Sequence, residues 1–189
     1  MSVSLLFTIL YWAWIASEIL LQVLTPTTRS QGKLRDRGSL ILLLAAIFGA
    51  IWAAGEYAGR HPHTMFGGAT WLETLALVLM AIGLGIRWTA VITLGRSFST
   101  NVAIHATQSL RTTGLYRWVR HPSYSGMLVL FAAVGIYERN WISFAILLIV
   151  PTAGLLYRIH VEEQALTEAF GPEYAQYSKR VKRLIPMIY

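Results

Sequence analysis

Arg120-His121-Pro122-Ser123-Tyr124-Ser125-Gly126 closes a polar stretch at 96–120 and opens an apolar run, and this junction decides how the chain reads. The polar stretch carries Arg96, Arg111, Arg117 and Arg120. A connection this long between packed helices is uncommon unless it is functional or disordered. Its aromatics, glycines and proline are not a disordered composition. Chemistry is therefore expected here, with membrane on either side.

Outward from the junction, the 189 residues are 55% hydrophobic and only 13% charged. With a mean hydropathy of +0.51, that composition excludes an ordinary soluble globule and points to an integral membrane chain. The absence of cysteine excludes disulfides, thiolate metal sites and thiol nucleophiles. No basic residue precedes Arg29, so the start lacks the basic region of a secretory signal and 5–24 is expected to remain as a span. A net charge of +7 could suggest nucleic acid. Among apolar spans it marks loops facing anionic lipid instead, so membrane lipid and not nucleic acid is the expected partner.

Five apolar runs, near 3–24, 39–58, 71–94, 123–137 and 141–160, predict five transmembrane helices. A crossing takes about 20 helical residues, and the fourth run is short. Only Glu138-Arg139-Asn140 separates it from the fifth, predicting a tight hairpin with Tyr137 and Trp141 at the interface. Basic residues alternate between loops: all 16 except Arg60 and Arg139 fall on one side, if Arg87 snorkels from the end of the third span. The positive-inside rule makes that side cytoplasmic, with the N-terminus outside and the C-terminus inside. The central loop and the C-terminal part then share one face and can jointly build one pocket. The chain divides into 1–95, three N-terminal spans, and 96–189, the part carrying loop, hairpin and C-terminal helices, within one structural domain.

Ala46, Ala50, Ala54 and Ala58 recur every fourth position in the second span, a spacing that favours close helix packing, expected within the protomer with a dimer face as the alternative. Gly83-Leu84-Gly85 follows no strand, so it is not read as a nucleotide fingerprint. Gly171-Pro172 ends one helix and starts another. Tyr174, Tyr177, Val181 and Leu184 then share a face, predicting an amphipathic helix lying on the membrane surface. His61-Pro62-His63 has no third ligand nearby and reads as a turn, so no metal is expected.

Pro122 disfavours helix at His121, which places the imidazole at the entrance to the fourth span, where it can donate to an anion. Individually, His121, Tyr116 and Tyr124 read equally well as a helix start and interfacial anchors. Arg158 and Glu162 are four apart and share a helical face, if the helix continues. Spacing alone leaves open an ordinary ion pair or a site in which Arg158 grips a carboxylate and Glu162 accepts from an amine or ribose.

The ordered set Thr113-Gly114-Leu115-Tyr116-Arg117-Trp118-Val119-Arg120-His121-Pro122-Ser123-Tyr124-Ser125-Gly126, Arg158-x-x-x-Glu162-Glu163 and Phe170-Gly171-x-Glu173-Tyr174-x-x-Tyr177 closely resembles the isoprenylcysteine carboxyl methyltransferase family. The match covers the C-terminal half; the first two spans are similar only in hydropathy. The resemblance implies an all-α membrane methyltransferase that uses S-adenosylmethionine, bound in a cytoplasmic pocket between the central loop and the C-terminal helices. It places adenosine along Gln108, Ser109, Leu110 and Arg111, with Tyr116, His121, Pro122, Ser123, Tyr124 and Glu162 completing the cofactor site. Arg158 falls on the substrate-facing position. One departure is that the family often has His where this chain has Gln108, with His105 three residues earlier.

The implied acceptor is the carboxylate of a lipophilic, prenylated substrate. Transfer to an acceptor already anionic needs no general base. Position and exclusion of water can supply much of the rate. Membrane sterol reductases that bind NADPH look similar around Arg-His-Pro-x-Tyr, but they typically continue His-Pro-Asn-Tyr-x-Gly-Glu, whereas Ser123 and Met127 stand here. A phospholipid N-methyltransferase would use the same cofactor on an amine, to which Arg158 offers nothing. A non-enzymatic scaffold would bind no cofactor at all.

Overall fold

A computed structural model describes residues 2–24, 38–61, 70–99 and 109–189. Its helices are α1 (Val3–Leu24), α2 (Gly38–Arg60), α3 (Thr70–Leu94), α4 (Pro122–Tyr137), α5 (Trp141–Phe170) and α6 (Pro172–Arg180), with short 3-10 turns at Gly95–Ser97 and Gly114–Arg117. Four of these, α1, α2, α3 and α5, are long and apolar enough to cross a membrane. α4 has 16 residues, so it extends only about 24 Å at 1.5 Å per residue. Five transmembrane helices were expected; among the described residues five apolar helices are present, of which four are long enough to be spans.

The candidate spans form helices because their residues are largely apolar on every side. In lipid such a segment must satisfy its backbone internally. Trp12, Trp52, Trp71 and Ile92 are exposed on the outside, as lipid-facing side chains would be, while Trp14, Met80, Leu130, Phe131, Leu147 and Leu155 are fully or almost fully buried. α3 packs along α4, α2 along α5, α4 along α5, and α1 along α3.

Small residues set the closest of these approaches. A Cβ on Gly126 would lie 2.8 Å from the Arg87 backbone nitrogen and 2.9 Å from the Gly83 carbonyl, so α4 meets α3 backbone to backbone beside Arg87. The alanine stripe of α2 packs within the chain, as expected: Ala50 and Ala54 are buried, and Ala46 approaches Gly154 of α5.

The α4–α5 hairpin turns at Glu138–Asn140 as expected. Asn140 caps α5 by accepting from the backbone nitrogens of Ile142 and Ser143 at 3.0 and 3.2 Å, a cap worth about 1 kcal/mol. Trp141 is exposed, and Tyr137 stacks on Phe7 of α1 at 3.9 Å. The ring is better covered by another aromatic face than by solvent.

α5 continues unbroken past its apolar run to Phe170, ending at Gly171-Pro172 as expected, so Arg158 and Glu162 share one helix. Two expectations are corrected. Arg87 does not snorkel: it is 5% exposed and faces the bundle. α6 ends at Arg180, and Val181 leaves in extended conformation, with Tyr174, Tyr177 and Leu184 buried against the protein instead of lying on lipid. Gly171, at φ +49, allows the turn from α5 into α6 that brings those tyrosines back. His61 stacks on Tyr57 at 4.2 Å. His63 lies outside the described residues.

Candidate active site

The turn at Gly114–Arg117 buries Tyr116, whose hydroxyl donates to the Ala90 carbonyl of α3 at 3.3 Å. Tyr177 of α6 donates to the Tyr116 carbonyl at 2.6 Å. The element is thus held from both sides and is no interfacial anchor. His121 has φ −124 and ψ 59, outside the helix, and Pro122 begins α4, as the restriction on residues preceding proline requires.

That entry angle aims the imidazole at α5. His121 Nδ1 lies 3.5 Å from Glu162 Oε2, and Nε2 lies 3.4 Å from Glu163 Oε1. One turn on, the Tyr124 hydroxyl donates to Glu162 and accepts from Arg158 Nε at 2.9 Å. Arg158 Nε also lies 3.2 Å from Glu162 Oε1, closing a triangle, and its Nη1 reaches the Ser39 hydroxyl of α2 at 3.4 Å. Arg158 is therefore both the ion pair and a buried member of a larger site. Burial alone would push the His121 imidazole down, but hydrogen bonds and charge from Glu162 and Glu163 outweigh it and push it up.

These side chains line a cavity of about 330 Å³, within the roughly 300–1,000 Å³ typical of small-molecule sites. Ser109, Leu110, Arg111, Tyr116, His121, Ser123, Tyr124, Arg158 and Glu162 all reach it. Pro122 is fully buried and does not; it acts by starting α4. Gln108 lies outside the described residues. Trp14, Ile15, Leu43 and Ile47, from α1 and α2, give the cavity an apolar wall.

Several contributors were missed from sequence. Arg87 of α3 pairs through Nε and Nη2 with both carboxylate oxygens of Glu18 on α1, at 2.9 and 2.8 Å, and donates to the Ser123 hydroxyl. A lone Arg and a lone Glu inside apolar runs were the available signal, since such residues in membrane helices mark functional sites by default. Glu163 ties together Arg120 at 2.7 Å and Arg183 at 2.8 Å. The segment after α6 then runs beside the Arg-His-Pro element, with the Arg120 and His121 nitrogens donating to the Lys182 and Arg183 carbonyls at 2.7 and 2.9 Å. No sequence period announces a strap of this kind. Tyr174 also lines the cavity. Its buried hydroxyl has no hydrogen-bond partner among the described residues, although Glu163 and Arg120 are near.

The profile of the isoprenylcysteine carboxyl methyltransferase family matches residues 74–168, a span that contains the Arg-His-Pro element and the Arg158–Glu163 cluster. The chain belongs to this family. Within the isoprenylcysteine carboxyl methyltransferases, it is 34% identical over 120 residues to protein-S-isoprenylcysteine O-methyltransferase B of Arabidopsis thaliana, covering 62% of this chain and 61% of that protein. The human protein-S-isoprenylcysteine O-methyltransferase is 33% identical over 132 residues, covering 63% of this chain and 43% of that one. The chain thus spans about three fifths, or less, of the length of these relatives. A solved eukaryotic isoprenylcysteine carboxyl methyltransferase, described as an intramembrane Ras methyltransferase, superposes with a TM-score of 0.70 over 96% of this chain and 65% of its own. At 23% identity that likeness shows a shared fold. With the apolar helices, it makes this an integral membrane protein.

Proposed function

We propose that this chain is a membrane methyltransferase that esterifies the carboxylate of an isoprenylcysteine-like acceptor, with S-adenosylmethionine as methyl donor. The observation that carries the reading is the junction of Tyr124, Arg158 and Glu162 on one cavity wall. Two stretches far apart in sequence, both inside the family match, meet there.

The donor set suits a cationic nucleotide. Tyr116, Tyr124, Tyr174 and Tyr177 line the cavity, aromatic rings attract a cation, and Glu162 supplies a carboxylate beside them. When bound, S-adenosylmethionine would supply a methyl group made electrophilic by its sulfonium charge. Ser109, Leu110 and Arg111 form the wall proposed for the adenosine, with Tyr116, His121, Ser123 and Glu162 completing the pocket. Pro122 supports it by fixing the start of α4. Arg158, oriented by Tyr124 and Glu162, is the cation proposed to hold the acceptor carboxylate. Arg158, 2% exposed, is largely removed from water, which strengthens that attraction.

The apolar wall from α1 and α2 suits a lipid tail arriving sideways from the bilayer. This reading includes five spans, with α4 and α5 crossing as a hairpin, and a cytoplasmic site and C-terminus. Residues 96–189 would then form the catalytic part, with 1–95 completing its walls. The test is to incubate the chain in proteoliposomes with methyl-labelled S-adenosylmethionine and an S-farnesylcysteine analogue. A base-labile labelled product is expected. A base-stable product or none overturns the reading, and equal rates with a tail-less acceptor overturn the lateral route.

A further inference from the structure

Glu18 is the one carboxylate that α1 brings to the cavity, and it lies outside the span matched by the family profile. It grips the edge of the Arg87 guanidinium in two-pronged fashion, at 2.9 and 2.8 Å. The Trp14 indole steadies it by donating to the same oxygen that takes Arg87 Nε, at 3.2 Å. Arg87 in turn donates to Ser123, the second residue of α4. Trp14, Glu18, Arg87 and Ser123 all line the cavity, and Tyr116 and Tyr124 lie within electrostatic reach of Arg87.

Stability is a poor account of this arrangement. The attraction of a buried ion pair does little more than offset the desolvation of both ions, and well-packed apolar residues often serve as well. Orientation is a better one. A guanidinium is planar, so fixing Nε and Nη2 fixes the direction of every other N–H. Glu18 therefore determines where Arg87 presents its remaining donors along a wall that also holds Arg158. It also neutralises the second cation of that wall, as Glu162 neutralises the first. The pair sits where the polar end of the cavity meets the apolar wall of Trp14, Ile15 and Leu43, the place at which an acidic headgroup would part from its tail.

We propose that Glu18 is a positioning residue for the acceptor: its grip on Arg87 sets the second cation that meets the acceptor's carboxylate, so that α1 completes a site otherwise built by α2 to α6. This rests on the methyltransferase reading above.

The experiment uses the full chain in lipid nanodiscs, with an S-farnesylcysteine analogue as acceptor and calorimetry with S-adenosylhomocysteine as a separate readout. Glu18→Gln is expected to raise the acceptor KM about ten-fold while leaving S-adenosylhomocysteine affinity within about two-fold. Glu18→Asp, which keeps the charge and shortens the reach, is expected to fall between Gln and wild type. It also serves as the primary variant if Glu18→Gln cannot be recovered folded. An acceptor KM equal to wild type in either variant overturns the proposal, as does an equal loss of acceptor and S-adenosylhomocysteine affinity, the mark of a merely structural role. Wild-type transfer is measured alongside: its absence overturns the methyltransferase reading itself, whereas an active wild type with an indifferent Glu18 overturns only this inference.

Discussion

Glu162 touches His121, Tyr124 and Arg158 at once, so a single carboxylate ties the start of α4 to α5 beside the cavity. Glu162→Gln keeps the shape and removes the charge. S-adenosylhomocysteine binding by calorimetry is expected to weaken about 10- to 100-fold, the cost of losing hydrogen bonds made by a charged acceptor. His121 carries a pH signature. Its affinity for a proton is raised in the folded protein by Glu162 and Glu163. The stability it contributes is therefore fully present below the ordinary imidazole value near ~6.5, and is lost as pH rises through the raised one. Thermal melts of wild type and His121→Asn should show the wild-type advantage shrinking as pH rises above about 6.5. A gap that widens over that range would contradict the assignment.

At the scale of the element, α3 and α4 are held by glycine contacts that leave no room for a methyl group. Gly126→Ala would drive a Cβ into the Arg87 and Gly83 backbones, which cannot yield as a flexible side chain would. A loss of about 1–3 kcal/mol is expected, read as a lower melting temperature, with transfer activity impaired through the displaced Arg87 and Ser123. Gly85→Ala on α3, the helix that Gly126 faces, has nothing within 4 Å of its new Cβ. It should be neutral or slightly stabilising, because alanine favours helix. Equal effects of the two would mean that the close approach is not what limits this interface. The turn from α5 into α6 works at the same scale: Gly171 reverses the chain so that Tyr174 and Tyr177 face the cavity, and the segment beyond α6 pairs alongside Arg120 and His121.

At the scale of the whole molecule, the proposed orientation can be checked directly because the chain has no native cysteine. Gly59→Cys, at an exposed and uncrowded position near the end of α2, should react with a membrane-impermeant maleimide from outside intact cells. Gln176→Cys, exposed on α6, should react only after the membrane is opened. The reverse pattern, or labelling of both from one side, would invert or dismantle the five-span topology.

Hydropathy and the rarity of charge in the apolar runs were enough to determine the helices and their order, because a bilayer tolerates no other local structure for such segments. The ordered motifs from Thr113 to Gly126 and from Arg158 to Glu163 were likewise enough to point to the family, since each is local in sequence. Three things only the tertiary structure decided: that Arg87 turns inward to Glu18, that Glu163 gathers Arg120 and Arg183, and that Tyr174 and Tyr177 close over the cavity. Each depends on which face of one helix meets which face of another. In an almost uniformly apolar helix no periodicity marks the inner face, so partners for its rare charges emerge only when the helices are packed.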